Sequence, residues 1–349
     1  MTELPTQLPT QLLVARNLVA GHSLASGLRQ VLGGVVTTSR LVIKPDLLRF
    51  TAYCPMPNPA SLAGRQDVSF ADCCDARAQE LLAANPHLHI MWSGGIDSTV
   101  TLVALLKSLP VHEYDRLTVF LSSHSIMENP AFYHTQIAGK LTVQRTVGKA
   151  GLFDEVVITG ELGDQLFGSD LMLECTRRLG FDSLSRPYAE VLPNLFASLS
   201  GDAQMGETIY RHYAPIATQA PYPLASTQDF LWWWNFSQKW QHVKFRHLLY
   251  EQRADYQALI GRVQHFFDSD SFQYWSMTHP AEKMGDRIDT YKMPAKRYIV
   301  DFTGDAGYLT KLKIGSLCRV FKYPPVAAIT ADGLPVYQAG LQAFVRNSP

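Results

Sequence analysis

The chain lacks any apolar run approaching the length of a membrane span, so insertion into a bilayer is not expected. An excess of one charge is lacking too: 31 basic and 31 acidic residues cancel, no basic run stands out, and no nucleic-acid partner is expected. Cysteine is scarce. Its five positions, Cys54, Cys73, Cys74, Cys175 and Cys318, are scattered and never in a Cys-x-x-Cys spacing, which speaks against a disulfide framework or a zinc site and for reduced thiols. Met1 to Pro9 is polar, carries two prolines and has no secretory pattern, so the expected compartment is the cytoplasm. Internal repeats and low-complexity tracts are absent. What is present is a 349-residue chain, 46% hydrophobic and 18% charged, enough for one large or two modest domains around a substantial core.

Along the chain, residues 1–85 form a first block. The pattern predicts a short helix over Leu24–Leu32 and a strand pair over Arg40–Tyr53, then Pro55, Pro57 and Pro59 break it. Asp72–Ala84 is predicted as a helix. Leu88, Ile90 and Trp92 then alternate with His87, His89 and Met91 as in a strand, and Thr99–Leu106 shifts to helical spacing. Leu117–Leu121 and Glu155–Thr159 read as further buried strands, and Asn129-Pro130 as the cap and first position of a helix running to Lys140. This alternation predicts an α/β fold with a parallel sheet flanked by helices and ligands at the carboxyl ends of its strands. Beyond about residue 170 the chain reads as mainly helical until a β-like run near Val326–Tyr337.

The most informative segment is Trp92-Ser93-Gly94-Gly95-Ile96-Asp97-Ser98, a strand-to-helix turn. Gly94 and Gly95 free the backbone to present N–H groups to an anion, and the following helix adds the positive end of its dipole. Ser93 and Ser98 can donate hydroxyl hydrogens to phosphate oxygens. Asp97 would repel polyphosphate unless a cation lay between them, which implies Mg2+. Read alone, Ser-Gly-Gly is equally a tight turn with a capped helix. The whole string in its strand–turn–helix context resembles the signature loop of the PP-loop ATP pyrophosphatases, which cleave ATP between its α and β phosphates to adenylate a substrate. It has no Gly-Lys-Ser/Thr ending, so γ-phosphate transfer is not indicated.

A second segment, Thr159-Gly160-Glu161-Leu162-Gly163-Asp164-Gln165-Leu166-Phe167-Gly168, follows the third predicted strand. It resembles the Gly-Asp/Glu-Gly-x-Asp-Glu-Leu-Phe-Gly loop of the asparagine synthetase synthetase domain, which other PP-loop enzymes do not share. The resemblance implies a PP-loop fold over about residues 72–320, with residues 1–71 a short N-terminal segment and 321–349 an extension. It implies that Asp164 joins Asp97 in holding Mg2+, that Thr159 and Gly160 lie near the α-phosphate, and that Glu161 faces the acyl-transfer centre. Gln165 stands where the family has Glu and is read as supporting. A thinner likeness covers Gln264–Asp268, Tyr291–Ile299 and Lys311-Leu312-Lys313-Ile314-Gly315. There Lys313 best matches the synthetase lysine that reaches the α-phosphate, with Lys311 as runner-up.

The resemblance implies ATP and Mg2+ as cofactors and an amide-forming ligase: a small-molecule or peptide carboxylate is adenylated, pyrophosphate leaves, and ammonia or an amine takes the acyl group. Glu161 would accept the proton and Lys313 would stabilise the phosphate charge. Position 2 is Thr2, and only ~85 residues precede the ATP loop, too few for the family's glutaminase domain. Nitrogen would then come from free ammonia, a separate ammonia-supplying protein, or an amine on a substrate, as in β-lactam synthetases and lasso-peptide cyclases. The alternatives are a PP-loop enzyme modifying a nucleobase or tRNA, and a catalytically degenerate ATP-binding module. The tryptophan run Trp232-Trp233-Trp234 and the pair His87/His89 are read mainly as packed core, against a substrate-pocket lining or partner contact, and as hydrogen-bonded histidines, against a metal pair.

Overall fold

The computed structural model describes residues 39–41, 56–57, 68–145, 154–241, 243–244, 261–312, 328–329 and 335–336. The helix predicted at Leu24–Leu32, nearly all of the strand pair at Arg40–Tyr53, Cys54 and Cys318 lie outside them. The chain is an α/β protein made of two compact units interleaved in sequence. A sheet unit takes Cys74–Gly160, Arg262–Phe266 and Pro294–Pro349, and a helical unit takes Met1–Cys73, Glu161–Gly261 and Phe267–Met293.

Five parallel strands make the sheet: β1 (Leu88–Met91), β2 (Leu117–Leu121), β3 (Thr142–Arg145), β4 (Val157–Thr159) and β5 (Val263–His265). Their order is β3-β2-β1-β4-β5, all pairs parallel. β2, Leu-Thr-Val-Phe-Leu, is buried at every position, as a strand covered on both faces requires. β1 is central. Its Leu88 sits opposite Leu117 on one side, and its Met91 opposite Thr159 on the other. Because the chain steps outward from β1 in both directions, the gap beyond the carboxyl ends of β1 and β4 is a topological switch point.

The fold departs from the sequence pattern at several places. β3 and β5 were not anticipated as strands. β3 is a mostly exposed polar edge, and β5 has only three residues. The helix after Asn129 begins as predicted, with the Asn129 side chain accepting from the Phe132 N–H and Pro130 in the first turn. It then widens into a π-turn over Tyr133–Ile137 and ends before Lys140. The β-like run near Val326–Tyr337 contains an antiparallel pair, Ala328–Ile329 with Pro335–Val336. Among the described residues Cys73, Cys74 and Cys175 are buried and form no disulfide.

In the helical unit the core is built around Thr227–Trp234, which starts at a capping box between Ser226 and Asp229 and runs into a π-turn, Asn235–Lys239. Three consecutive side chains on a helix point in three directions, so burying Trp232, Trp233 and Trp234 together requires packing all round it. All three are 0% exposed. Trp232 stacks on Tyr222 and donates its indole N–H to the Leu166 carbonyl and the Ser276 hydroxyl. Trp233 donates to the Ile216 carbonyl, while Trp234 lies against Phe196 and Tyr213. Each such ring removed from water contributes on the order of 2–3 kcal/mol. The core reading of the tryptophan run therefore holds for the whole run. His87 likewise hydrogen-bonds Thr118 at 2.9 Å and packs edge-on against His89.

Candidate functional site

The loop after β1 occupies the switch point. Trp92 is buried and donates its indole N–H to Thr99 on the next helix, which pins the start of the turn. Gly94 has φ of 76°, and a Cβ there would stand 2.2 Å from the Ser125 carbonyl oxygen and 2.7 Å from Glu128 Cβ. Only glycine fits both the left-handed backbone and that approach. The turn closes on hydroxyls: the Ser93 N–H donates to Ser98 Oγ at 3.1 Å, Ser98 donates to the Gly95 carbonyl at 3.1 Å, and the two hydroxyls lie 3.0 Å apart. Ser93 is exposed and Ser98 buried, so Ser93 offers the accessible hydroxyl while Ser98 shapes the loop.

The helix that follows, Ile96–Ser108, has no side-chain cap, carries Asp97 in its first turn and starts at Gly95. It thus directs its positive end toward the loop. From the neighbouring strand, Gly160 approaches so closely that a Cβ would lie 2.6 Å from the Ser98 nitrogen. Thr159, buried at the end of β4, shares a 2.6 Å hydrogen bond with Nδ1 of buried His265 at the end of β5. Ser93, Gly94, Gly95, Asp97, Ser98, Thr159 and Gly160 thus lie in the segments that follow or end β1 and β4. His265 was not singled out from the sequence, and its place on β5, directly beside β4 in the sheet, is what brings it there.

A lysine–glutamate pair borders this loop. Lys311 Nζ donates to the Glu128 backbone carbonyl and lies 3.7 Å from Glu128 Oε1, and Glu128 is the residue that faces Gly94. Burial pushes the Lys311 ammonium below the usual lysine range, and Glu128 opposes that shift. Lys313, the better match by resemblance, lies outside the described residues; Lys311, the runner-up, is the lysine found beside the loop.

Asp164 and Glu161 belong to the helical unit, whereas Asp97 belongs to the sheet unit. Asp164 Oδ1 accepts from Lys292 Nζ at 2.6 Å and from Ser169 Oγ at 2.8 Å. Gln165 is buried and donates its amide to Asn235 Oδ1 at 3.0 Å; Asn235 in turn donates to Asp170, which pairs with Lys239. A glutamate at 165 would set a carboxylate against that carbonyl, so the amide is what the surrounding network needs. This fits a supporting role for the position. Comparison with protein-family models, curated proteins and solved structures returns no match. The likeness to the synthetases rests on the two loops.

Around the switch-point loop, the exposed Ser93, an uncapped helix start and a part-buried lysine suit a polyphosphate. Among the described residues no three His, Cys, Asp or Glu side chains gather to hold a metal. A divalent ion at Asp97 would thus take most of its ligands from phosphate and water, the usual manner for Mg2+.

Proposed function

We propose that the chain is an ATP-dependent amide-forming ligase that adenylates a small-molecule or peptide carboxylate and passes the acyl group to ammonia or an amine. The observation that carries the reading is the Ser93–Ser98 loop at the carboxyl ends of β1 and β4, with Gly94 and Gly160 each in a close approach that excludes a side chain. In this reading the Gly94 and Gly95 region and the Ser93 hydroxyl hold the departing pyrophosphate. Thr159, oriented by His265, and Gly160 border the α-phosphate. Mg2+, entering with the nucleotide and met by Asp97, would offset the phosphate charge.

A substrate carboxylate oxygen attacks the α-phosphorus, the bond to the bridging oxygen breaks, and pyrophosphate leaves. An uncharged amine then attacks the acyl carbon, the bond from that carbon to the phosphate oxygen breaks, and AMP departs. Lys311, paired with Glu128, is the lysine proposed to meet phosphate charge as it develops. Glu161, which directly follows Gly160 in the chain, is the base proposed for the amine's proton.

The test uses purified full-length chain with ATP, Mg2+, a pool of carboxylates and hydroxylamine, which traps any acyl-adenylate as a hydroxamate. AMP and pyrophosphate in equal amounts are expected, and Asp97→Ala should abolish both while leaving the circular dichroism unchanged. ADP with inorganic phosphate would overturn the reading. AMP formation that depends on added RNA would favour a base-modifying enzyme, and ATP binding without turnover would favour a regulatory module.

A further inference from the structure

Two non-glycine residues among those described have a left-handed backbone, Leu162 with φ of 75° and Lys292 with φ of 53°. Both bear on Asp164. Leu162 is the N-cap of Gly163–Phe167, the short helix carrying Asp164, and Lys292 places its ammonium 2.6 Å from Asp164 Oδ1. Such strain persists only where the surroundings over-determine it, and it concentrates at functional positions.

Those surroundings can be named within the helical unit. The Lys292 N–H donates to the Lys283 carbonyl at 3.2 Å, and its ammonium lies 5.8 Å from the centre of the Phe167 ring. The Lys292 side chain is 2% exposed and that of Asp164 34%, so the ammonium is sealed in while the carboxylate reaches the surface. Ser169 adds a second donor to the same Oδ1 at 2.8 Å. A lysine this deeply enclosed, on a backbone held this firmly, stays on its carboxylate.

We propose that Lys292 takes the place of a divalent cation at Asp164: the carboxylate is closed to metal, and metal binding by this chain does not involve it. This rests on the ligase reading only in that the reading supplies Mg2+; the pairing is a property of the free protein. Mg2+ binds carboxylate oxygen at about 2.0–2.1 Å, so an ion on Asp164 Oδ1 would stand within roughly 5 Å of the buried ammonium, and one on Oδ2 within roughly 7 Å. Like charges at that range, with little water between, disfavour joint occupancy. The Asp164 carboxylate is neutralised by the protein itself, with no need of a dissociable ion.

The experiment is a Mn2+ titration of the full chain followed by electron paramagnetic resonance, with and without ATP. Asp164→Asn should leave Mn2+ affinity unchanged from wild type in both conditions. A loss of about tenfold or more, the size expected when a ligand or its support is removed, would overturn the proposal. Lys292→Gly removes the ammonium while relieving the left-handed strain, and should gain Mn2+ affinity without nucleotide, a gain that adding Asp164→Asn abolishes. A folded Lys292→Gly chain that gains nothing would also overturn it; if that variant does not fold, the comparison of wild type with Asp164→Asn decides. Failure of ATP to raise Mn2+ affinity in any variant removes the ATP reading, and the nucleotide-free titrations still judge the Lys292–Asp164 pair.

Discussion

Gly94→Ala tests the loop's close approach directly, because two separate costs meet at that position. A φ of 76° puts alanine in the left-handed region, which costs roughly 1–2 kcal/mol. The added Cβ would also stand 2.2 Å from the Ser125 carbonyl oxygen, a backbone atom that cannot rotate away. Relieving that overlap means shifting the loop or the helix Ser123–Glu128, at about 1–3 kcal/mol. Two other glycines isolate the parts. Gly201 has a left-handed backbone, φ of 74° and ψ of 13°, and open space, with nothing within 4 Å of where a methyl would go, so Gly201→Ala should show the backbone cost alone. Gly160 has no left-handed backbone but would bring a Cβ 2.6 Å from the Ser98 nitrogen, so Gly160→Ala should show the overlap alone. Urea unfolding at constant m-value should rank Gly94→Ala lowest, near the sum, about 2–5 kcal/mol below wild type. Pyrophosphate release by the same variant should drop by about 100-fold, since a shift near 1 Å misaligns the reacting groups. A Gly94→Ala protein as stable as Gly201→Ala would refute the reasoning, because the Ser125 carbonyl would then not be held against the loop.

Lys283 is fully buried, donates to the Ser276 carbonyl at 2.5 Å and the His279 carbonyl at 3.2 Å, and lies 4.2 Å from the centre of the Trp232 ring. Burial pushes its pKa down from 10.5 to about 7. The folded chain therefore binds fewer protons than the unfolded one between those values. Stability should rise with pH from about 7 to about 10.5, by at most about 1.4 kcal/mol per unit, and be lost again as pH falls toward 7. Urea midpoints at pH 7, 8 and 9 check this, with Lys283→Met as the flat control; no slope in wild type would mean that the carbonyls and the indole face keep the ammonium charged. Gln165→Glu should lower stability by about 1–3 kcal/mol by leaving Asn235 Oδ1 facing a carboxylate, measured by urea unfolding. A neutral outcome would show that the Gln165–Asn235–Asp170 chain does not constrain this position.

The centre of the fold was legible because β1, its loop and the following helix carry their signals in adjacent residues: alternation, paired glycines, then helical spacing. β2 was legible as an unbroken apolar run. β3 was not, since three of its four residues are exposed and its sequence Thr-Val-Gln-Arg has no core face to reveal. β5 spans only Val263–His265, below the length at which periodicity means anything. The same limit governs the site. Thr159 and His265 are 106 positions apart, Asp164 and Lys292 128, and Glu128 and Lys311 183, so local pattern carries no trace of these pairings. The resemblance named Asp164 and could not name the lysine that holds it. For Gln165, the departure from the family's glutamate becomes intelligible only once Asn235 and Asp170 are seen beside it.

The placement of the indoles also makes the chain an optical instrument. Of its six tryptophans, Trp232, Trp233, Trp234, Trp240 and Trp275 belong to the helical unit, and Trp92 alone to the sheet unit. None is more than 1% exposed, so native emission is expected at the blue end of the tryptophan range. Total fluorescence during unfolding will follow the helical unit almost exclusively. Subtracting the spectrum of Trp92→Phe from that of wild type leaves the light of a single ring, next to Ser93 in the chain, against which any candidate nucleotide can be titrated without a label.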